Sequence, residues 1–136
     1  MNWEYLAGFF DGEGNVNINK ITKQNGKFSY AIQLRIYNSE EKVLLQIKKF
    51  INIGQIYKVK RLPATNYVYE LTITNKKDVK FFLDNIVDKL IIKQEIIQYI
   101  LSNFSFERNN NNNFDLSFMR NLNQRNKGNI IKAVTE

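Results

Sequence analysis

Apolar residues recur at helical spacing up to Phe10 and at strict alternation from Val16 onward, and the same switch repeats once more along the chain. One segment cannot satisfy both periods, because a spacing near 3.6 gathers residues on a helix face while a spacing of two divides them between the faces of a strand. Trp3, Leu6, Ala7 and Phe10 therefore predict a first helix, capped by Asn2 and ending near Gly12. Val16 and Ile18 alternate with Asn15, Asn17 and Asn19 in a strand, and Asn25-Gly26 signals a hairpin turn. On the return strand Phe28, Tyr30, Ile32, Leu34 and Ile36 alternate with Ser29, Ala31, Gln33, Arg35 and Tyr37. Asn38 or Ser39 is expected to cap a second helix with the stripe Val43, Leu44, Ile47, Phe50 and Ile51, closed by Gly54.

A second pair of strands follows at about 55–61 and 67–74, joined through Pro63-Ala64-Thr65-Asn66. Asn75 opens a third helix carrying Val79, Phe82, Leu83, Ile86, Val87 and Leu90, and a fourth runs from about Lys93 to Phe104. Beyond the run Asn109 to Asn113, which reads as a surface loop, Phe114 to Leu122 and Ile130 to Val134 suggest short helices. The order α, ββ, α, ββ, α with extra helices at the end predicts an α+β fold. Its four antiparallel strands should turn an apolar face to the helices and a polar face outward.

At 136 residues and 43% hydrophobic, the chain is expected to form a single domain over 1–136, with its core in 1–104 and a helical tail in 105–136. It has no cysteine, no run of eighteen apolar residues and no basic-then-apolar leader, so a soluble intracellular protein away from membranes is expected. Heavy use of Asn, Ile and Lys reflects A/T-rich codons, which fits a mitochondrial or other organellar gene. The formal charge of +7 favours a polyanionic partner. With no histidine, the usual general base, the serine-histidine triad and histidine metal sites are excluded. Chemistry must then come from carboxylates, lysines, amides or metal-activated water.

The polar sheet face bears on that partner. A twisted antiparallel ribbon fits the major groove of DNA, and side chains at period two then point at base edges. Asn15, Asn17, Asn19, Ser29, Gln33, Arg35 and Tyr37 are suitable types, since amides match adenine and arginine matches guanine. On the third strand the outward set is either Gln55, Tyr57, Val59 and Arg61 or, with a bulge, Lys58 and Lys60. Lys20, Lys23, Lys27, Lys58, Lys60 and Arg61 cluster at strand ends and turns, where phosphates would run. A solvated sheet face is polar whatever its function, and exposed lysines also protect edge strands, so the low acid content and the basic total tip the reading.

The stretch LAGFFDGEG at 6–14 closes the first helix with two acids among three glycines. Glycine inside a helix costs about 1 kcal/mol relative to alanine, so Gly8 calls for a reason. With Gly12 one turn later it makes a smooth ridge suited to close helix contact. Asp11 lies in the last turn, where a carboxylate opposes the helix dipole and so needs a hydrogen-bonding task, while Glu13 is aimed outward.

These nine residues resemble the signature of the LAGLIDADG homing endonucleases, and the αββαββα order over 1–104, with Gly54 and Lys93-Gln94 at similar spacing, extends the resemblance. It implies a four-stranded saddle sheet on double-stranded DNA and a signature acid, here Glu13, that holds divalent metal with help from the Gly12 carbonyl. Many members carry Asp where this chain has Glu13. A single motif implies a homodimer, with Leu6, Gly8, Phe9, Asp11 and Gly12 at its interface and a roughly palindromic target. Mg²⁺, or Mn²⁺, would support hydrolysis across the minor groove with short 3′ overhangs, whereas Ca²⁺ could bind without supporting cleavage.

Places around the metals in the family fall on Asn38, Lys42 and Lys93. Asn38 serves equally as a helix cap, with Glu41 completing a capping-box-like pair. Lys42 lies in a first helical turn, a poor place for a cation, and Lys93 follows an apolar run as a solvated helix start or as the catalytic lysine. An intron RNA maturase and a catalytically inert DNA-binding protein are the alternatives on the same scaffold. An intact Glu13 favours the site-specific nuclease of a mobile intron.

Overall fold

Helix α1, Trp3–Glu13, starts where the Asn2 carboxamide accepts the Tyr5 N–H at 2.8 Å. It stops where Gly14 turns to an extended backbone and enters β1, Gly14–Thr22. A Cβ at Gly14 would run into the Phe10 ring, so this helix-to-strand corner requires glycine. The computed structural model describes residues 1–60, 67–107 and 114–123. The expected linker at 63–66, Arg61, the Asn109 to Asn113 run and the helix at 130–134 lie outside them.

Strand β1 pairs antiparallel with β2, Phe28–Asn38, around a turn in which Gly26 holds φ +81°. Asn25 Oδ1 accepts the Lys27 N–H there at 3.0 Å, so the predicted Asn-Gly turn forms as expected. Helix α2, Glu41–Ile51, leads through β3, Gln55–Lys60, and β4, Tyr67–Ile73, to α3, Lys76–Ile86. Asn75 caps α3, its side chain accepting from Lys77 and Asp78 N–H groups, as its sequence position predicted. A 3₁₀ turn, Val87–Lys89, and α4, Gln94–Asn103, follow, and residues 116–123 form a fifth helix, α5.

The sheet order is β1-β2-β4-β3, antiparallel throughout. Even-numbered residues of β1 and β2 and odd-numbered residues of β4 turn toward the helices. Ile18, Ile32, Leu34, Ile36, Leu71 and Ile73 are buried there against Leu6 and Phe10 of α1, Leu44 and Ile47 of α2, and Phe82 and Leu83 of α3. Trp3 ties the three helices together by edge contacts with Phe50, Phe81 and Phe82. No helix among the described residues is long and apolar enough to cross a membrane.

Three local expectations are corrected. Helix α2 is capped by Glu40, without a side-chain bond, because Asn38 Oδ1 accepts the Glu40 N–H at 2.8 Å and thereby closes a turn ahead of the helix. Its end is Asn52 in the left-handed conformation, φ 58°, with Gly54 at φ +90° just beyond. The helical spacing through Leu90 also overruns α3, which ends at Ile86, and Leu90 takes an extended backbone at φ −79°, ψ 150°.

Candidate active site and nucleic-acid face

The two acids of α1 have opposite environments. Asp11 is buried, and its carboxylate accepts three backbone N–H groups from the segment that enters α4: Ile91 at 2.6 Å and Ile92 at 3.1 Å on Oδ2, and Lys93 at 3.0 Å on Oδ1. The start of a helix favours an anion, so the acid that strains the end of α1 is well placed at the beginning of α4. Lys93 reciprocates: its ammonium donates to the Asp11 carbonyl at 2.5 Å, placing a cation on the negative end of α1. The two helices clasp one another at their termini. Glu13, two residues on, is exposed and makes neither a hydrogen bond nor an ion pair among the described residues.

The clasp sets the surroundings of Glu13. Lys93, expected as a solvated helix start or as the catalytic lysine, is thereby anchored at the C-terminal end of α1. The Gly12 carbonyl lies in the last turn, beyond the reach of a later helical N–H, and is an available oxygen one residue before Glu13. Asn38 ends β2 opposite Tyr69, with its Oδ1 committed to Glu40 and its amide N–H₂ left as a donor. Lys42 is exposed in the first turn of α2. Among the described residues no three acids converge into a metal site, so the end of α1 offers the Glu13 carboxylate and the Gly12 carbonyl one residue before it.

Gly8 and Gly12 are exposed, and a Cβ at either would meet nothing within 4 Å. They form an open strip along α1 beside Tyr5 and Phe9, whose rings stack at 6.1 Å. Leu6 and Asp11 are placed otherwise than at the expected interface. Leu6 is wholly buried in the chain's own core, and the Asp11 carboxylate is consumed by residues 91–93, so neither side chain is available to a partner.

The outer sheet face is continuous across four strands. Asn15 pairs with Arg35, Arg35 with Thr72 and Thr72 with Gln55, which puts all four in one row. The next row aligns Tyr37, Glu70 and Tyr57. Asn17 opposite Gln33, Asn19 opposite Ala31 and Ser29 opposite Ile21 extend the face toward the β1–β2 turn, which carries Lys23. The pairing of β3 with β4 is regular and contains no bulge, which settles the alternatives for β3: Gln55, Tyr57 and Val59 share this face. Lys58 and Lys60 project from the other side, where the Lys58 ammonium lies 4.0 Å from the Tyr67 ring centre. They are therefore not part of the row that would meet base edges.

Two residues of this face are not evident from apolar spacing. Glu70 and Thr72 occupy the alternate polar positions of Tyr67–Ile73, a signal present in the sequence but easily read only for its apolar half. Thr72 Oγ1 donates to Glu70 Oε1 at 2.8 Å, and Arg35 Nε stands 3.2 Å from the same oxygen. That approach is within ion-pair distance but off the hydrogen-bond direction, and the buried Nε–H makes no hydrogen bond. Arg35 Nη1 also donates to the Tyr37 hydroxyl at 3.2 Å.

The family model for LAGLIDADG endonucleases matches residues 6–103, from the first residue of the glycine-rich motif to the last of α4. The chain is a LAGLIDADG family protein. A curated relative, the intron-encoded DNA endonuclease ai2b of Dictyostelium discoideum, is 28% identical over 79 residues, which make up 58% of this chain and 29% of that protein. Solved LAGLIDADG structures share the fold. The homing endonuclease I-CvuI, in a complex with uncleaved DNA in the presence of Mg, superposes with a TM-score of 0.61 at 20% identity, covering 74% of this chain and 63% of that one. An archaeal intron-encoded homing endonuclease, I-Vdi141I, complexed with DNA, gives a TM-score of 0.61 at 21% identity, covering 74% and 64%. The chain thus spans less than two thirds of the proteins it is matched with here.

Proposed function

We propose that this LAGLIDADG protein is a site-specific double-strand DNA endonuclease that works as a homodimer. The observation that carries the reading is the pairing, on one helix, of an uncommitted exposed Glu13 with an open Gly8–Gly12 strip. Two copies of α1 can approach closely along that strip, bringing two Glu13 carboxylates to one twofold axis. The donors fit a hard divalent ion: carboxylate and carbonyl oxygens suit Mg²⁺ or Mn²⁺, and one chain supplies half of a shared site. When bound, such an ion supplies Lewis-acid polarisation of the scissile phosphate and an activated water.

The chain's own residues do the rest. Glu13 and the Gly12 carbonyl hold the ion, and Lys93, fixed by its bond to the Asp11 carbonyl, places positive charge where the phosphorane charge grows. Lys42 supplies a further point charge, and the Asn38 amide a donor that can order water. The outer sheet face follows the major groove, with Asn15, Asn17, Asn19, Gln33, Arg35 and Tyr57 toward base edges and Lys23 toward phosphates. A twofold dimer then reads a pseudo-palindromic target and cuts across the minor groove between the half-sites, leaving short 3′ overhangs.

Incubating the protein with a randomised palindromic duplex library in Mg²⁺ and sequencing the new ends tests this directly. Wild-type protein should yield a palindromic consensus with a common overhang, and Glu13→Gln should yield bound but uncut duplex. Cutting by Glu13→Gln at the wild-type rate would remove Glu13 from the site. Bound duplex without cut ends from the wild type would make the chain an inert binder, and enrichment of neither would direct the search to intron RNA.

A further inference from the structure

Among the described residues, the Arg35–Glu70 couple is the one acid–base pair set within the otherwise amide-rich outer face. A pair meant only to neutralise charge would be expected to satisfy both partners, and this one does not. Both contacts to Glu70 converge on Oε1, leaving Oε2 with no partner among the described residues, and the buried Arg35 Nε–H lacks a hydrogen bond. The couple is nonetheless held in place. Tyr37 accepts from Arg35 Nη1, Thr72 donates to Glu70, and the pairing of β2 with β4 fixes the spacing of the two backbones.

An acid here weakens any phosphate contact by repulsion, which argues that this spot faces the groove floor rather than the sugar-phosphate walls. On the floor, a G·C pair presents two acceptors on guanine, O6 and N7, beside the donor N4–H₂ of cytosine. A guanidinium next to a carboxylate whose second oxygen has no partner among the described residues is the complement of that pattern. We infer that Arg35 and Glu70 act as one reader of a single G·C pair in each half of the target, Arg35 donating to guanine and Glu70 Oε2 accepting from cytosine N4. The inference rests on the duplex-DNA reading above and adds to it a specificity-determining acid.

Binding selection with the full chain on a randomised duplex library, with Ca²⁺ in place of Mg²⁺, tests the couple for the wild type, Glu70→Gln and Arg35→Ala. The wild type should enrich G·C at one position per half-site. Glu70→Gln should lower the preference at that position by roughly tenfold or more, leave the neighbouring positions intact, and keep or raise total affinity because a negative charge is removed. Arg35→Ala should relax the same position and also weaken binding. An unchanged G·C column in Glu70→Gln, or an even loss of preference across all columns with a lowered melting temperature, would overturn the couple while leaving DNA recognition standing. Failure of the wild type to enrich any duplex would overturn DNA recognition, and the couple with it.

Discussion

Asp11 and Glu13 differ by one methylene and two positions, yet packing gives them different tasks. The Asp11 carboxylate accepts three N–H groups while buried, so Asp11→Asn should be costly. An amide keeps one acceptor and turns an N–H₂ group toward donors that need an acceptor. The loss should be about 2–3 kcal/mol, read as a lowered denaturant midpoint, with reduced activity as a secondary effect of releasing Lys93. Glu13→Gln should leave that midpoint within about 0.5 kcal/mol of wild type, since an exposed side chain with no partner among the described residues holds little together. The sequence foretold that Asp11 needed a hydrogen-bond partner but not which one, because its donors lie 80 to 82 residues away. Local chemistry states a demand, and only the fold supplies the answer.

Among the elements, α1 carries two glycines, with a third at its end, and their consequences are unlike. At Gly8 a methyl group meets nothing and removes the helix penalty of glycine, so Gly8→Ala should stabilise the isolated chain by up to about 1 kcal/mol. Gly8→Leu should also fold but lose the proposed self-association, seen as a shift from dimer to monomer in sedimentation. Gly14→Ala should destabilise, because its Cβ falls on the Phe10 ring. The elements themselves were largely legible. The change of period between Gly12 and Asn15, the Asn-Gly turn and the Asn75 cap are local signals, and each forms close to where it is read. What escaped was decided at a distance. The chain leaves the helix after Ile86, and the N–H groups of 91–93 are thereby free for Asp11, a requirement invisible to apolar spacing. The face taken by Lys58 and Lys60 was likewise undecidable locally, since Gln55–Lys60 has no clear apolar side and its register comes from β4.

For the whole molecule, charge and symmetry act together. On the proposed function, a chain of net charge +7 whose sheet lies along DNA in twofold pairs should bind with steep salt dependence, log K falling by about 0.9 per neutralised phosphate for each decade of salt. Lys23→Gln should make that slope shallower by about one for each chain, and so by about two for a dimer, because each substituted lysine leaves one phosphate to its counterions. The cleavage consensus should stay unchanged, a combination measurable by titration at several salt concentrations. The clasp between α1 and α4 adds a constraint on how the protein comes into being. Glu13 precedes in the chain the lysine and the three N–H groups of the clasp, which arrive with residues 91–93. During synthesis the nascent chain therefore carries its acid long before it carries an assembled site, and a product terminated before residue 91 has the signature without the lock. On the proposed function, cutting should therefore wait until most of the αββαββα unit has left the ribosome, and a chain ended before residue 91 should leave DNA uncut.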